Sequence, residues 1–216
     1  MTILNVFIYV VVFIFAAIIH EISHGYVAHL RGDDSAKLMG RITLNPLSHI
    51  ELFGSIILPA MLLFLKSPIL FGWAKPVPID YRNFKKPKLD IPLVSLAGPI
   101  ANLLIALASG LGIRLIGMFP SFEAGFVATS AIQSFLYIML VINVILAIIN
   151  LIPIPPLDGS KVATYFMPRD VATKYMNLNS FICLIALLLL LSSGAAWSLL
   201  YPVISFFVVT FSGFPY

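Results

Sequence analysis

The sequence predicts an all-α polytopic membrane protein, a bundle of about five or six transmembrane helices with a re-entrant or short hairpin segment. Its residues are 60% hydrophobic and 10% charged, where soluble globular chains carry about a quarter charged, and the mean hydropathy is +1.03. The apolar residues also gather into runs at 3–19, 52–65, 91–119, 126–152 and 181–211, separated by polar or proline-rich connections. A span needs roughly 20 apolar residues, so a chain of 216 residues suits one bundle, read as a single transmembrane domain over 1–216.

The first run could pass for a signal peptide. It lacks a charged leading region and a small-residue cleavage site, and it continues into His20-Glu21-Ile22-Ser23-His24, so it reads as a retained span. The run at 52–65 is too short for an ordinary span and suits a re-entrant or interfacial hairpin. The last run is long enough to kink or split near Ser192, Ser193 and Gly194. Cys183 stands alone in an apolar run, which excludes an internal disulfide and a cysteine metal cluster.

The formal charge of +4 does not point to nucleic acid, because the basic residues lie between apolar runs, where they set topology. Residues 31–50 hold Arg31, Lys37 and Arg41; residues 66–90 hold Lys66, Lys75, Arg82, Lys85, Lys86 and Lys88; residues 159–180 hold Lys161, Arg169 and Lys174. Since cytoplasmic loops collect Lys and Arg, all three connections are expected in the cytoplasm. The run at 52–65 must then enter and leave on one face. This topology brings the end of the first helix and the end of the 126–152 helix to a similar membrane depth near the cytoplasmic side.

Those two ends carry the chemistry. His20 and His24 are four residues apart, so on a helix both imidazoles project from one face at a spacing that suits one metal ion. Glu21 lies about 100° around the helix from His20 and can reach a water activated there. Ionisable groups inside apolar helices are costly and are usually functional. A hydrolytic zinc site takes three protein ligands and keeps a position open. His29 is poorly placed as the third, about 140° around the helix from His24, and the soluble metzincin pattern fails because Val27 and Leu30 stand where Gly and His are required. Asp158 is the stronger candidate. Pro153, Pro155 and Pro156 must unwind the backbone ahead of it, and a divalent cation offsets the cost of a carboxylate at that depth. The plainer alternative is a helix-ending turn with Asp158-Gly159 as its turn residues.

The chain resembles the site-2 protease family of intramembrane zinc metalloproteases, in particular its small prokaryotic type without PDZ or CBS domains. The motifs that carry the resemblance are HEISHGY at 20–26, GRITLNPLSHIELFGSIILP at 40–59, FGWAKPVPID at 71–80, SLAGPIANLL at 95–104 and NLIPIPPLDGSK at 150–161. It implies one Zn2+ per chain held by His20, His24 and Asp158, Glu21 as the catalytic base, and Asn150 as a catalytic-site residue near the substrate backbone or the tetrahedral intermediate. Family members often have His-Ile-Asp where this chain has His49-Ile50-Glu51.

The expected reaction is hydrolysis of peptide bonds within or next to the transmembrane segments of membrane-anchored proteins, by a multi-pass protein of the cell membrane, most naturally a prokaryotic plasma membrane. Its active site is expected toward the cytoplasm, and its partners are such substrates and the lipid bilayer, not nucleic acid. A metal-binding membrane transporter and a non-catalytic scaffold are the competing classes; a transporter gains nothing from a base beside the metal and normally shows repeated halves, which this sequence lacks. His49 is either a residue that orients or gates the site or an interfacial histidine satisfied by backbone, and Asn102 and Asn143 are expected to bond between helices. Pro76 and Pro78 favour extended backbone, which could either pair with an unwound substrate or form an interfacial loop anchored by Trp73.

Overall fold

The computed structural model describes residues 3–57, 61, 64, 74–118 and 126–213. Helix α1, Ile3–Arg31, contains no proline and ends at Gly32, whose φ of 109° suits glycine. The short α2, Ser35–Leu38, follows. A 3-10 turn at Pro46–His49 and a π-helical turn at Leu52–Ile57 lead into the apolar segment. The expected re-entrant hairpin over 52–65 falls mostly outside the described residues, as does Trp73.

Residues 74–80 carry no regular secondary structure, as Pro76 and Pro78 require, and a 3-10 turn at Tyr81–Asn83 brings the chain to α3, Pro87–Gly117. Proline at the first helical position costs no hydrogen bond. Asp90 in the first turn accepts from the Lys86 backbone N–H at 2.8 Å and pairs with Arg31 Nη2 at 2.6 Å, joining the start of α3 to the end of α1. Helix α4, Phe126–Asn150, is followed by the unwound proline turn, then by α5, Asp158–Ala163, and α6, Arg169–Met176. The long last run divides as expected: α7, Ser180–Ser192, and α8, Ala195–Ser212, are separated by Gly194 with φ 76°.

Among the described residues, Phe7–Arg31, Pro87–Gly117, Ala131–Asn150 and Ala195–Ser212 are long and apolar enough to cross a membrane. The pair α6 and α7, bent by 77°, makes a fifth if it counts as one span. The chain is a multi-pass helical membrane protein with four to five candidate spans, at the lower edge of the expected number.

Ala106 and Ile113 of α3, Leu140 and Val144 of α4, and Ile204 and Val208 of α8 form the main buried cluster. At its far end Arg114 donates to the Phe211 carbonyl at 2.8 Å and to that of Thr210, satisfying the last carbonyls of α8. Helices α1 and α3 run antiparallel, since Ala16 meets Asn102 while Arg31 meets Asp90. The connections expected to be cytoplasmic meet at one end of the bundle, where Asp33 bonds to Asp80 and Asn83 and the Lys88 ammonium lies 5.8 Å from the centre of the Tyr165 ring.

Candidate metal centre

The helical spacing of four puts His20 and His24 on the face of α1 turned toward α3 and α5, with ring centroids 4.6 Å apart. Asp158 opens α5 and reaches the same point, because the proline turn folds the chain back after α4. That fold requires glycine next in sequence: a Cβ on Gly159 would collide with the Leu151 carbonyl. His20, His24 and Asp158 are 7%, 6% and 7% exposed. His20 Nε2 lies 3.1 Å from Asp158 Oδ2, His24 Nε2 lies 3.0 Å from that oxygen, and the two Nε2 atoms are 3.0 Å apart.

The donor set fits a metal ion. Tetrahedral zinc with bonds of roughly 2.0–2.1 Å holds its ligand atoms about 3.3 Å apart, close to the separations found. His24 Nδ1 is 2.7 Å from the Val94 carbonyl, which can only accept, so Nδ1 carries the proton and Nε2 presents a lone pair. His20 Nδ1 is 2.6 Å from Asn102 Oδ1, with the same result. Two imidazole lone pairs and a carboxylate oxygen therefore converge in a buried space, an arrangement that repels unless a cation stands among them. His20, His24 and Asp158 are the cluster among the described residues with the geometry to hold one.

Around this cluster, Gly98 of α3 leaves room for the rings, since a Cβ there would lie 2.5 Å from His20 Nε2 and 2.6 Å from His24 Nε2. Lys161, one turn after Asp158, places Nζ 3.3 Å from Asp158 Oδ1. Burial pulls the Lys161 ammonium down, but the Asp158 carboxylate beside it, together with Tyr81 and Glu21, outweighs this and holds it above its ordinary value.

Glu21 Oε2 accepts from the Val77 backbone N–H at 2.8 Å, so the 74–80 segment crosses beside the base candidate. The close approach is made possible by Gly25, where a Cβ would lie 2.9 Å from Val77 Cγ1. Much of that segment's backbone is already engaged. Lys75 N–H donates to His49 O, Asp80 N–H to Asp33, and Arg41 Nη2 donates to the Lys75 and Pro76 carbonyls. A substrate strand could pair at these groups only by displacing their present partners.

Asn150 ends α4 with its amide donating to Leu146 O at 2.9 Å, within its own helix. His49 is buried, its Nε2 donating to Thr43 O at 2.8 Å within the same connection, while its carbonyl accepts from the Lys75 N–H of the next. Glu51 accepts from the Gly54 N–H at 2.7 Å and so caps the π-helical turn. His29 pairs with Asp34 and lies apart from the cluster. Sequence reasoning gave no site role to Val94, Gly98 or Lys161, and treated Asn102 only as a bond between helices. Val94, Gly98 and Asn102 recur every four residues on one face of α3, a stripe that was available in the sequence.

A buried His-His-carboxylate cluster among the spans of a helical bundle defines the class: a multi-pass membrane protein with a metal centre of hydrolytic type. The chain belongs to Peptidase family M50, the site-2 protease family, whose pattern matches residues 113–192. It is 35% identical to YwhC of Bacillus subtilis, provisionally named a zinc metalloprotease, over 88% of this chain and 84% of that one. It is also 31% identical to Rip2 of Mycolicibacterium smegmatis and to Rip2 of Mycobacterium tuberculosis, both named in the same provisional way, over 65% of this chain and 50% of each relative. No solved structure gives a significant match. The protein is thus a membrane metalloprotease of this family, and zinc is its cofactor.

Proposed function

We propose that this protein hydrolyses peptide bonds within or beside the transmembrane helices of membrane-anchored proteins, with His20, His24 and Asp158 as zinc ligands and Glu21 as the base. The observation that carries this reading is the convergence of three buried acceptor atoms beside Glu21, at the end of a helix apolar enough to span the membrane. A bound zinc ion supplies Lewis-acid polarisation of the scissile carbonyl and activation of water. Glu21 accepts a proton from the water as its oxygen bonds to the carbonyl carbon, and then delivers that proton to the amine nitrogen, which leaves as the peptide C–N bond breaks. Asp158 and Glu21 together balance the double charge of the ion.

Asn150, at the helix end before the proline turn, is proposed to meet the substrate backbone after exchanging its bond to Leu146 O. Three basic connections at the same end of the bundle support a cytoplasmic active site in a cell membrane. A substrate helix hides its amides in internal bonds and must unwind locally before its carbonyl reaches the site.

The test is cleavage of a purified single-span substrate by wild type and Glu21→Gln at matched zinc content. Expected is cleavage by wild type and a loss of at least about 100-fold in the variant, in line with removal of a general base. Equal cleavage by both proteins would remove Glu21 from the mechanism.

A further inference from the structure

We infer that Asn102 and Asn143 form a hydrogen-bond relay of fixed polarity that positions His20 as a ligand. This inference rests on the metal-site reading above. The polarity starts at a group that can only accept: Asn143 Nδ2 donates to the Met139 carbonyl at 2.8 Å, which turns Asn143 Oδ1 toward α3. Asn102 Nδ2 then donates to that oxygen at 2.8 Å and to the Ala16 carbonyl at 3.2 Å. Its own Oδ1 is left facing His20 Nδ1 at 2.6 Å. An amide oxygen only accepts, so the His20 proton sits on Nδ1 and the Nε2 lone pair faces Asp158 and His24.

Both asparagines are 0% exposed. A flip of the Asn102 amide would set its oxygen against Asn143 Oδ1 and the Ala16 carbonyl, leaving three acceptors together with no donor. Plain bonding between helices would be satisfied by either direction of the Asn102–Asn143 pair. Here the direction is set at a backbone carbonyl of α4, passes through α3, and ends on His20, one of the two rings that α1 contributes to the site. His24 has a shorter version of the same device in the Val94 carbonyl. Asn102 and Asn143 are positioning residues: neither is placed to touch substrate, and both act through His20.

The relay is tested on full-length protein by zinc affinity, measured against a chelator of known strength, and by nitrogen NMR of histidine-labelled, zinc-free protein, the His20 signals being assigned by their loss in His20→Gln. Wild type is expected to show His20 protonated at Nδ1. Asn102→Leu is expected to weaken zinc binding about 10–100-fold and to lose that tautomer preference. Asn102→Asp keeps an acceptor for the Nδ1 proton and should hold the Nδ1 tautomer, but its second oxygen meets Asn143 Oδ1 and the Ala16 carbonyl with no donor, so its zinc binding should fall below that of wild type. Asn143→Leu should fall between wild type and Asn102→Leu, because Asn102 keeps its bond to Ala16 O. Thermal unfolding of the zinc-free proteins separates a packing defect from a positioning defect. Unchanged zinc affinity in a folded Asn102→Leu or Asn143→Leu protein overturns the relay, as does loss of the Nδ1 tautomer in a folded Asn102→Asp protein. Failure of wild type itself to bind zinc overturns the site reading and the relay with it, whereas loss of cleavage alone touches neither result.

Discussion

Gly98 of α3 lies directly against the two histidines of α1. A methyl group there would lie 2.5–2.6 Å from both His20 and His24 Nε2, and backbone on one side and paired ligands on the other leave nothing that can yield cheaply. Gly98→Ala is therefore expected to lower zinc affinity by at least about tenfold, as disturbing a ligand's surroundings does, and chelator competition reads this directly; an unaltered affinity would mean that the helices separate with ease. Which residues could hold a metal was arguable from His20, His24 and Asp158 alone, because the chemistry of those residues admits few other uses in an apolar helix. Gly98 could not be argued that way. Its importance is the absence of a side chain at a place fixed by packing, and glycine in an apolar run has several ordinary explanations.

At the scale of elements, the site depends on segments outside the spans. Asp33, fully buried just beyond α1, accepts from Ser35 Oγ at 2.6 Å, from Asn83 Nδ2 at 2.9 Å and from the Asp80 N–H at 2.9 Å, clasping the end of α1 to the segment that brings Val77 to Glu21. Burial pushes the Asp33 carboxyl up, but its hydrogen bonds to Ser35, Asn83 and the Asp80 N–H prevail and hold it below the usual carboxylate range. With its folded pKa below the unfolded one, Asp33 contributes stability that is present above the unfolded pKa and is lost as pH falls through the folded pKa. Hydrogen exchange of residues 74–83 should accordingly rise in wild type on acidification below the ordinary carboxylate range. In Asp33→Asn the exchange should be raised at neutral pH and should respond less to acid; identical pH profiles would show that the clasp does not control the segment. The two prolines made extended backbone legible here, but not its neighbour. Glu21 and Val77 are brought together by Gly25 and the Asp33 clasp, and no spacing rule links positions so far apart.

For the whole molecule, the end of α1, the start of α3 and the end of α4 share one end of the bundle with most of the basic residues, while Arg114 joins α3 to α8 at the other. Single cysteines in a Cys183→Ser background give a direct check of orientation. Cysteines at Lys37, Lys85 and Lys174 should be labelled by a membrane-impermeant thiol reagent only after the cytoplasmic face is opened. Labelling of intact cells at any of the three would reverse or break the proposed topology.

The sequence by itself determined that the chain enters a membrane, because 60% apolar residues in long runs leave no soluble alternative. It also pointed to where the helices break, since three prolines within residues 153–156 remove too many helix bonds in one turn, unlike the separate Pro92, Pro99 and Pro202 carried inside α3 and α8, and Ser192, Ser193 and Gly194 interrupt an apolar run too long for one straight span. It offered His20, His24 and Asp158 as candidate ligands and Glu21 as the candidate base, and it carried the family pattern. Tertiary structure decided the rest: that Asn102, expected only to bond between helices, faces His20; that Val94 offers a carbonyl to His24; that Lys161, counted only as a loop charge, faces Asp158; and that Val77 meets Glu21. The division has a physical reason. Apolar content and helix breaking are local properties of a chain, legible wherever they occur. The partner of a buried polar atom depends on how three helices pack, and an asparagine in an apolar helix reads the same before packing whether it will bond to a neighbouring helix or orient a metal ligand.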